Sequence, residues 1–180
     1  MMLLMAGDDL ALNTLMTRWG GRVTSFLLRM TGQHEVAVDL AQETFVKLYQ
    51  ARARYKLEAN FSTWLFAIAA NLARNHKRWV NRHPTLSIDA SGENGKPVLQ
   101  ETADPSLPPA EQAIARENAE AVRRAIVSLP SDLREALTLF TYQDLGYAEI
   151  AEISGCSSKA VETRIYRARQ ILKEQLRDLR

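Results

Sequence analysis

Cysteine and histidine are scarce in this 180-residue chain, with one of the former and three of the latter, and both scarcities exclude chemistry. A lone Cys156 rules out an internal disulfide and suits a reducing compartment. It falls in a short polar turn, where a small packing residue is its simplest role. His34, His76 and His83 lie in polar surroundings with no partner set of the Ser/His/Asp or Cys/His kind. The eight glycines form no phosphate-binding loop. Asp39 and Glu43 stand one helical turn apart near His34, but a metal centre needs more ligands in a closed geometry, so a solvated or partner-binding acidic face is the expectation. No enzyme, no cofactor and no metal are therefore expected.

Long apolar runs are missing as well. The opening MMLLMAGDD has no basic leader and is too short to span a bilayer, so neither a secretory signal nor a membrane contact of its own is expected, and the chain is placed in the cytoplasm. Strand signals are few and helical periods dominate, which predicts an all-α protein with enough apolar content, 46%, for one large or two small cores.

The most organised stretch is Tyr147 to Leu172, which reads as helix, tight turn, helix. Ala151, Gly155 and Val161 follow at intervals of four and six: a small residue where helices cross, a glycine for a left-handed turn, and an apolar anchor. Ser157 or Ser158 can cap the second helix, whose inward stripe is Val161, Ile165, Ala168 and Leu172. Lys159, Arg164, Arg167, Arg169 and Lys173 fall outside that stripe. Seven Lys or Arg against three acids between Lys159 and Arg180, in a chain of net charge only +2, is the footprint of a nucleic-acid binder, although such a helix pair also occurs in plain bundle packing.

Upstream, Leu10 to Met30 and Glu35 to Tyr49 read as amphipathic helices separated by Thr31-Gly32-Gln33, the second exposing Asp39, Gln42, Glu43 and Lys47. Residues 52–62 break the period, either as a working loop or as a simple connection. Thr63 to Val80 returns to helix with a stripe of Trp64, Leu65, Ile68, Ala69, Leu72 and Trp79, and its end is basic: four Lys or Arg and no acid from Asn71 to His83. Aromatics beside such a run suit either a base-stacking surface or a core, Phe61 and Trp64 above all. From Pro84 to Ala121 there are five prolines and seven acids against two basic residues, the composition of a linker. A helix can begin near Ala110, and Asp132 to Tyr142 supplies another to pack on the helix-turn-helix, for about four helices in the C-terminal module.

DLAQETFVKLYQ (39–50), FSTWLFAIAANLARNHKR (61–78), LPSDLREALTLF (129–140) and YAEIAEISGCSSKAVETRIYRAR (147–169) together resemble an extracytoplasmic-function sigma factor of the sigma-70 family, across nearly the whole chain. The resemblance implies two small helical domains, a sigma-2 bundle at 1–83 and a sigma-4 helix-turn-helix domain at 119–180, joined by a flexible linker at 84–118. It implies as partners core RNA polymerase, through the clamp helices of the largest subunit and the flap, together with promoter DNA and an anti-sigma factor. By position, Asp39, Gln42, Glu43 and Phe45 become the polymerase contact. Tyr55, Phe66, Ile68 and Asn71 line or adjoin a pocket for a base flipped from the −10 element, with Arg74, Lys77 and Arg78 on the adjoining phosphates. Ser158, Lys159, Glu162, Thr163, Arg164, Tyr166 and Arg167 meet the −35 element.

Two departures stand out. Relatives commonly carry a basic residue in place of Glu162 and glycine in place of Lys159, and many have a glycine in the loop that here reads Tyr55-Lys56-Leu57-Glu58. The rival reading is a stand-alone helix-turn-helix regulator, which leaves 39–50 and 61–78 without a purpose.

Overall fold

A computed structural model describes residues 1–83 and 108–177, which form eight α-helices and one short 3₁₀ turn, with no strand among them. The expected linker charge therefore lies largely outside the described residues. The helices are α1 (Met2–Met5), α2 (Leu10–Thr31), α3 (His34–Gln50), α4 (Phe61–Arg82), α5 (Pro109–Ser128), α6 (Ser131–Gln143), α7 (Tyr147–Ser154) and α8 (Ser158–Gln175). No described helix is long and apolar enough to cross a membrane.

In the N-terminal half, α2, α3 and α4 bury stripes at helical spacing: Val23, Phe26, Leu27 and Met30; Leu40, Ala41, Phe45 and Leu48; Leu65, Phe66, Ala69, Leu72 and Ala73. Asn60 starts α4 by accepting from the Ser62 N–H at 3.2 Å. The opening residues do more than their length suggested. Leu4 is fully buried, and α1 packs on α2 and on the 3₁₀ turn Arg52–Arg54.

In the C-terminal half, α5 has proline at its first position, where a missing N–H costs nothing, and it begins about ten residues before the boundary expected at 119. Helices α6, α7 and α8 close a small core of Leu133, Leu137, Leu139, Ile150, Ile153, Val161, Ile165 and Ala168. The expected four helices are there: α5 starts beside the expected Ala110, α6 runs one residue beyond each end of the expected Asp132 to Tyr142, and α8 ends three residues past Leu172.

The halves do not stand apart. One hydrophobic core runs through both, α2 packing on α5 and α6 and α4 packing on α7. At the centre of this junction Arg134, 8% exposed, donates to the Met30 carbonyl at 2.6 Å, to the Leu129 carbonyl at 2.8 Å and to the Val127 carbonyl. These carbonyls belong to the C-terminal ends of α2 and α5, where helix carbonyls lack internal partners and the helix dipole favours a cation. Burial pulls the Arg134 pKa below its ordinary value, yet a guanidinium starts so high that it keeps its charge. Beside it Gly32 ends α2 with φ 76°, a left-handed conformation that favours glycine, and a Cβ there would crowd the Val127 side chain at 3.0 Å. Arg22 of α2 donates to the Gln143 side chain and carbonyl, both at 3.0 Å.

Arg134→Met should lower the unfolding free energy by about 2–4 kcal/mol, because three buried carbonyls lose their donor. Urea titration followed by circular dichroism checks this, with Arg124→Met on the exposed side of α5 expected to stay within about 0.5 kcal/mol of the parent.

Candidate nucleic-acid interface

The N-terminal part of the site is a loop held against an aromatic cluster. Tyr55 is buried, and its hydroxyl donates to the Ala59 carbonyl at 2.7 Å, closing the five residues into a compact turn. Its ring lies 5.0 Å from Trp64 and 6.2 Å from Phe61, and Trp19 meets Phe61 edge-on at 5.4 Å. An open groove of about 460 Å³ runs along this cluster, lined by Leu15, Trp19, Tyr55, Leu57 and Phe61, with Arg18 contributing a cation. The bonded Tyr55 hydroxyl fixes the turn by a side-chain bond.

The expected pocket residues divide by burial. Phe66 is fully buried, stacked edge-on with Phe26 at 5.5 Å and Trp19 at 6.5 Å, so it supports the site from the core and does not line it. Ile68 is half-buried and Asn71 exposed. Lys77 and Arg78 are exposed, Arg78 bonding Asn75 at 2.5 Å. Arg74 faces the other half of the chain and forms a two-pronged pair with Glu135 at 2.8 and 2.9 Å. On α3, Asp39, Gln42 and Glu43 are exposed with Lys47 3.7 Å from Glu43, whereas Phe45 turns inward and is 4% exposed. Val46, beside them and 54% exposed, is the apolar member of that face that residue-type reasoning overlooked.

Trp79 also departs from expectation. It continues the apolar stripe of α4 by period, yet it is 44% exposed, because the helix outruns the core after Ala73. It stacks instead between His76, at 6.3 Å, and His83, at 5.0 Å, and burial lowers the His76 pKa. Its place near a helix end was the available signal.

The C-terminal part is built as the spacing predicts. Gly155 takes φ 63°, the left-handed turn, and the following Cys156 N–H bonds the Ala151 carbonyl at 3.0 Å. Of the two candidate caps, Ser157 does the work, accepting from Ala160 N–H at 3.2 Å. Val161, Ile165 and Ala168 are buried, which leaves Ser158, Lys159, Glu162, Thr163, Tyr166 and Arg167 on one exposed face. Tyr166 stands out from it, 63% exposed. Arg164 does not belong to that face: it reaches Asp132 of α6 at 3.5 Å and donates to the Cys156 sulfur at 3.4 Å, tying α8 to the turn and to α6. The two unusual residues of the face neutralise one another. Lys159 Nζ and Glu162 Oε2 are 2.8 Å apart, and the hydrogen bond to Glu162 raises the Lys159 pKa.

Two exposed basic surfaces thus lie on one chain, with an acidic strip on a third helix. Residues 15–82 match the family model described as sigma-70 region 2, and residues 119–172 match that of sigma-70 region 4. Curated relatives include the RNA polymerase sigma-H factor of Pseudomonas aeruginosa, 34% identical over 174 residues, 96% of this chain and 90% of that protein. The ECF RNA polymerase sigma-E factor of Escherichia coli K12 is 34% identical over 177 residues, with the same shares. Among solved structures, the sigma factor RpoE in complex with the anti-sigma factor NepR from Bartonella quintana superposes with a TM-score of 0.71 at 23% identity, over 93% of this chain and 98% of that one. CnrH in complex with the cytosolic domain of CnrY gives 0.69 at 23%, over 97% and 92%.

The split between Arg167 and Arg164 is measurable. Arg167→Ala should lower the slope of log affinity against log salt for duplex DNA by about one, as expected for one lost phosphate contact. Arg164→Ala should leave that slope unchanged and instead cost about 0.5–1 kcal/mol of stability.

Proposed function

The chain belongs to the sigma-70 family as an RNA polymerase sigma factor of the extracytoplasmic-function type, and from that premise we propose how its surfaces divide the work. The α3 strip of Asp39, Gln42 and Glu43, with Val46, docks on the clamp helices of the polymerase largest subunit, and the C-terminal half meets the flap. The loop from Tyr55 to Asn60, with Asn71 of α4, takes up a base extruded from the −10 element. Stacking in the aromatic groove and hydrogen bonds to the base edge offset an extrusion cost of a few kcal/mol. Lys77, Arg78 and, once released, Arg74 hold the neighbouring phosphates. The exposed face of α8 lies in the major groove of the −35 element.

One observation favours this over a stand-alone regulator: regions 2 and 4 are matched on the same chain, at 15–82 and 119–172, whereas a regulator would need only the second. An anti-sigma factor, held at the membrane or free in the cytoplasm, restrains the protein until a stress signal releases it. Two solved structures of this fold are complexes of that kind, which supports the reading. The protein acts in the cytoplasm at the nucleoid and needs no cofactor.

Co-purification with bacterial core RNA polymerase, followed by run-off transcription from a genomic promoter library, tests the assignment. Transcripts that share a spaced pair of upstream elements are expected. Specific DNA binding by the protein without any association with polymerase would favour the regulator.

The Lys159–Glu162 pair sets a second expectation. A carboxylate in the groove accepts from a cytosine amino group and repels phosphate, so this protein should prefer a −35 element unlike that of relatives with a basic residue there. Glu162→Arg should change the bases enriched at one or two −35 positions in the same transcription assay. An unchanged promoter profile would refute the role of Glu162.

A further inference from the structure

Trp19 and Trp64 pack against the hydrophobic core, whereas Trp79 stands 44% exposed beyond its end. The Trp79 ring lies between His76 at 6.3 Å and His83 at 5.0 Å, with interplanar angles of 28° and 32°, so three flat rings stand nearly parallel along one side of α4. The His83 Nδ1 lies 2.9 Å from the Trp79 carbonyl, which holds that end of the series in place. Lys77, Arg78 and Arg82 are exposed around it, and the segment from Asn71 to His83 contains no acid. The position of this cluster along α4 relates it to the aromatic groove. From Phe61 to Trp79 is about five full turns at about 3.6 residues per turn, so both rings leave the helix on the same side, roughly 27 Å apart. Leu65 and Leu72 on that side belong to the core, and the exposed ridge of Asn71, Asn75, Arg78 and Arg82 runs beside them from one end towards the other.

We propose that Trp79, flanked by His76 and His83, is a second base-stacking site, which holds an unpaired base of the same strand that enters the groove at Tyr55 and Phe61. The inference deepens the proposed function and rests on it for the promoter as partner. An exposed indole face among cations, with no acid nearby, suits a ligand made of flat rings and phosphates better than it suits a protein surface. The cations hold the backbone while the ring takes a base, and the two contacts fall within one helical turn: Lys77 and Arg78 precede Trp79 directly. Stacking is indifferent to which base is present, because every base has a π-face, so this site adds affinity without sequence preference. Its distance from the groove adds a length requirement. Roughly 27 Å corresponds to about eight nucleotides at about 3.4 Å per stacked nucleotide, and to fewer when the strand is drawn out. A strand that reaches both ends of α4 gains from both sites at once, whereas a shorter one gains from a single site.

The test uses the full chain and needs no polymerase. Fluorescence anisotropy is read on a fluorescein-labelled single strand of mixed sequence, about twelve nucleotides long, and on its abasic counterpart, which keeps every phosphate and lacks every base. The wild type should bind the base-bearing strand more tightly. Trp79→Ala should weaken binding of that strand about fivefold or more and leave the abasic strand unchanged, while Trp79→Phe, which keeps an aromatic face, should retain most of the affinity. Arg78→Ala should weaken both strands alike, as expected for a phosphate contact. In the wild type, affinity should also step up between strands of about four and about eight nucleotides, and Trp79→Ala should abolish that step. A wild type that does not distinguish the two strands, a Trp79→Ala effect equal on both or absent from both, or a missing length step would overturn the proposal. So would a Trp79→Ala variant that keeps its strand preference but loses association with core polymerase, since the ring would then face a protein. The wild-type comparisons need no substitution, so a variant that fails to fold leaves the test intact. Run-off transcription reports separately on the sigma reading: its failure removes the promoter as partner, whereas transcription without base discrimination at Trp79 removes the second stacking site alone.

Discussion

The structure turns on one buried charge. Among the described residues Arg134 has no carboxylate partner; it is solvated by three backbone carbonyls at the ends of α2 and α5. Burying a cation in this way is tolerable only because those carbonyls would otherwise be stranded at helix ends, each needing a donor that water can no longer supply. The same contact joins a helix of the N-terminal half to two helices of the C-terminal half. Gly32 completes the arrangement, since its positive φ suits glycine and a Cβ there would stand 3.0 Å from the Val127 side chain. Core packing between the halves then follows: Arg29 stacks on Tyr142 at 3.8 Å, and Arg22 holds Gln143.

Two kinds of junction between the halves follow, and they differ in what would release them. Around Arg134 the donors meet backbone carbonyls in a dry setting, where salt has little access. Along α4 the contacts are side chain to side chain at partly exposed sites: Arg74 with Glu135, and Asn60 and Thr63 with Glu149. The second set is charged and polar, so added salt reaches it more readily than the contacts around Arg134.

The all-α class, the helix positions and the helix-turn-helix were legible in the sequence because each rests on local physics. The Gly155 turn, the serine cap and the Val161–Ile165–Ala168 stripe depend only on neighbours along the chain. Where the reading erred, a distant residue decided the matter. Arg164 looked outward by type but pairs with Asp132, from a helix whose angle to α8 no periodicity reveals. Phe66 and Phe45 belong to the core because Trp19 and Phe26, or the α3 stripe, claim them. Trp79 is exposed because the core stops short of it, and the length of a core is a property of the packed structure. Leu4 was invisible for the opposite reason: a four-residue helix has too little periodicity to register. The contact between the halves has no local signature, since Glu135 and Glu149 read as ordinary polar positions on helix surfaces.

The exposed face of α8 carries a final implication. With Lys159 and Glu162 paired at 2.8 Å, two of its charges offset each other, while Arg167, Arg169 and Lys173 keep the exposed side of α8 basic. The attraction of this helix for a polyanion therefore rests on those three cations and weakens as salt rises. Joining it to a second site on the same DNA raises the effective concentration of each half without any new contact. That gain exists only when the halves can reach both elements at once.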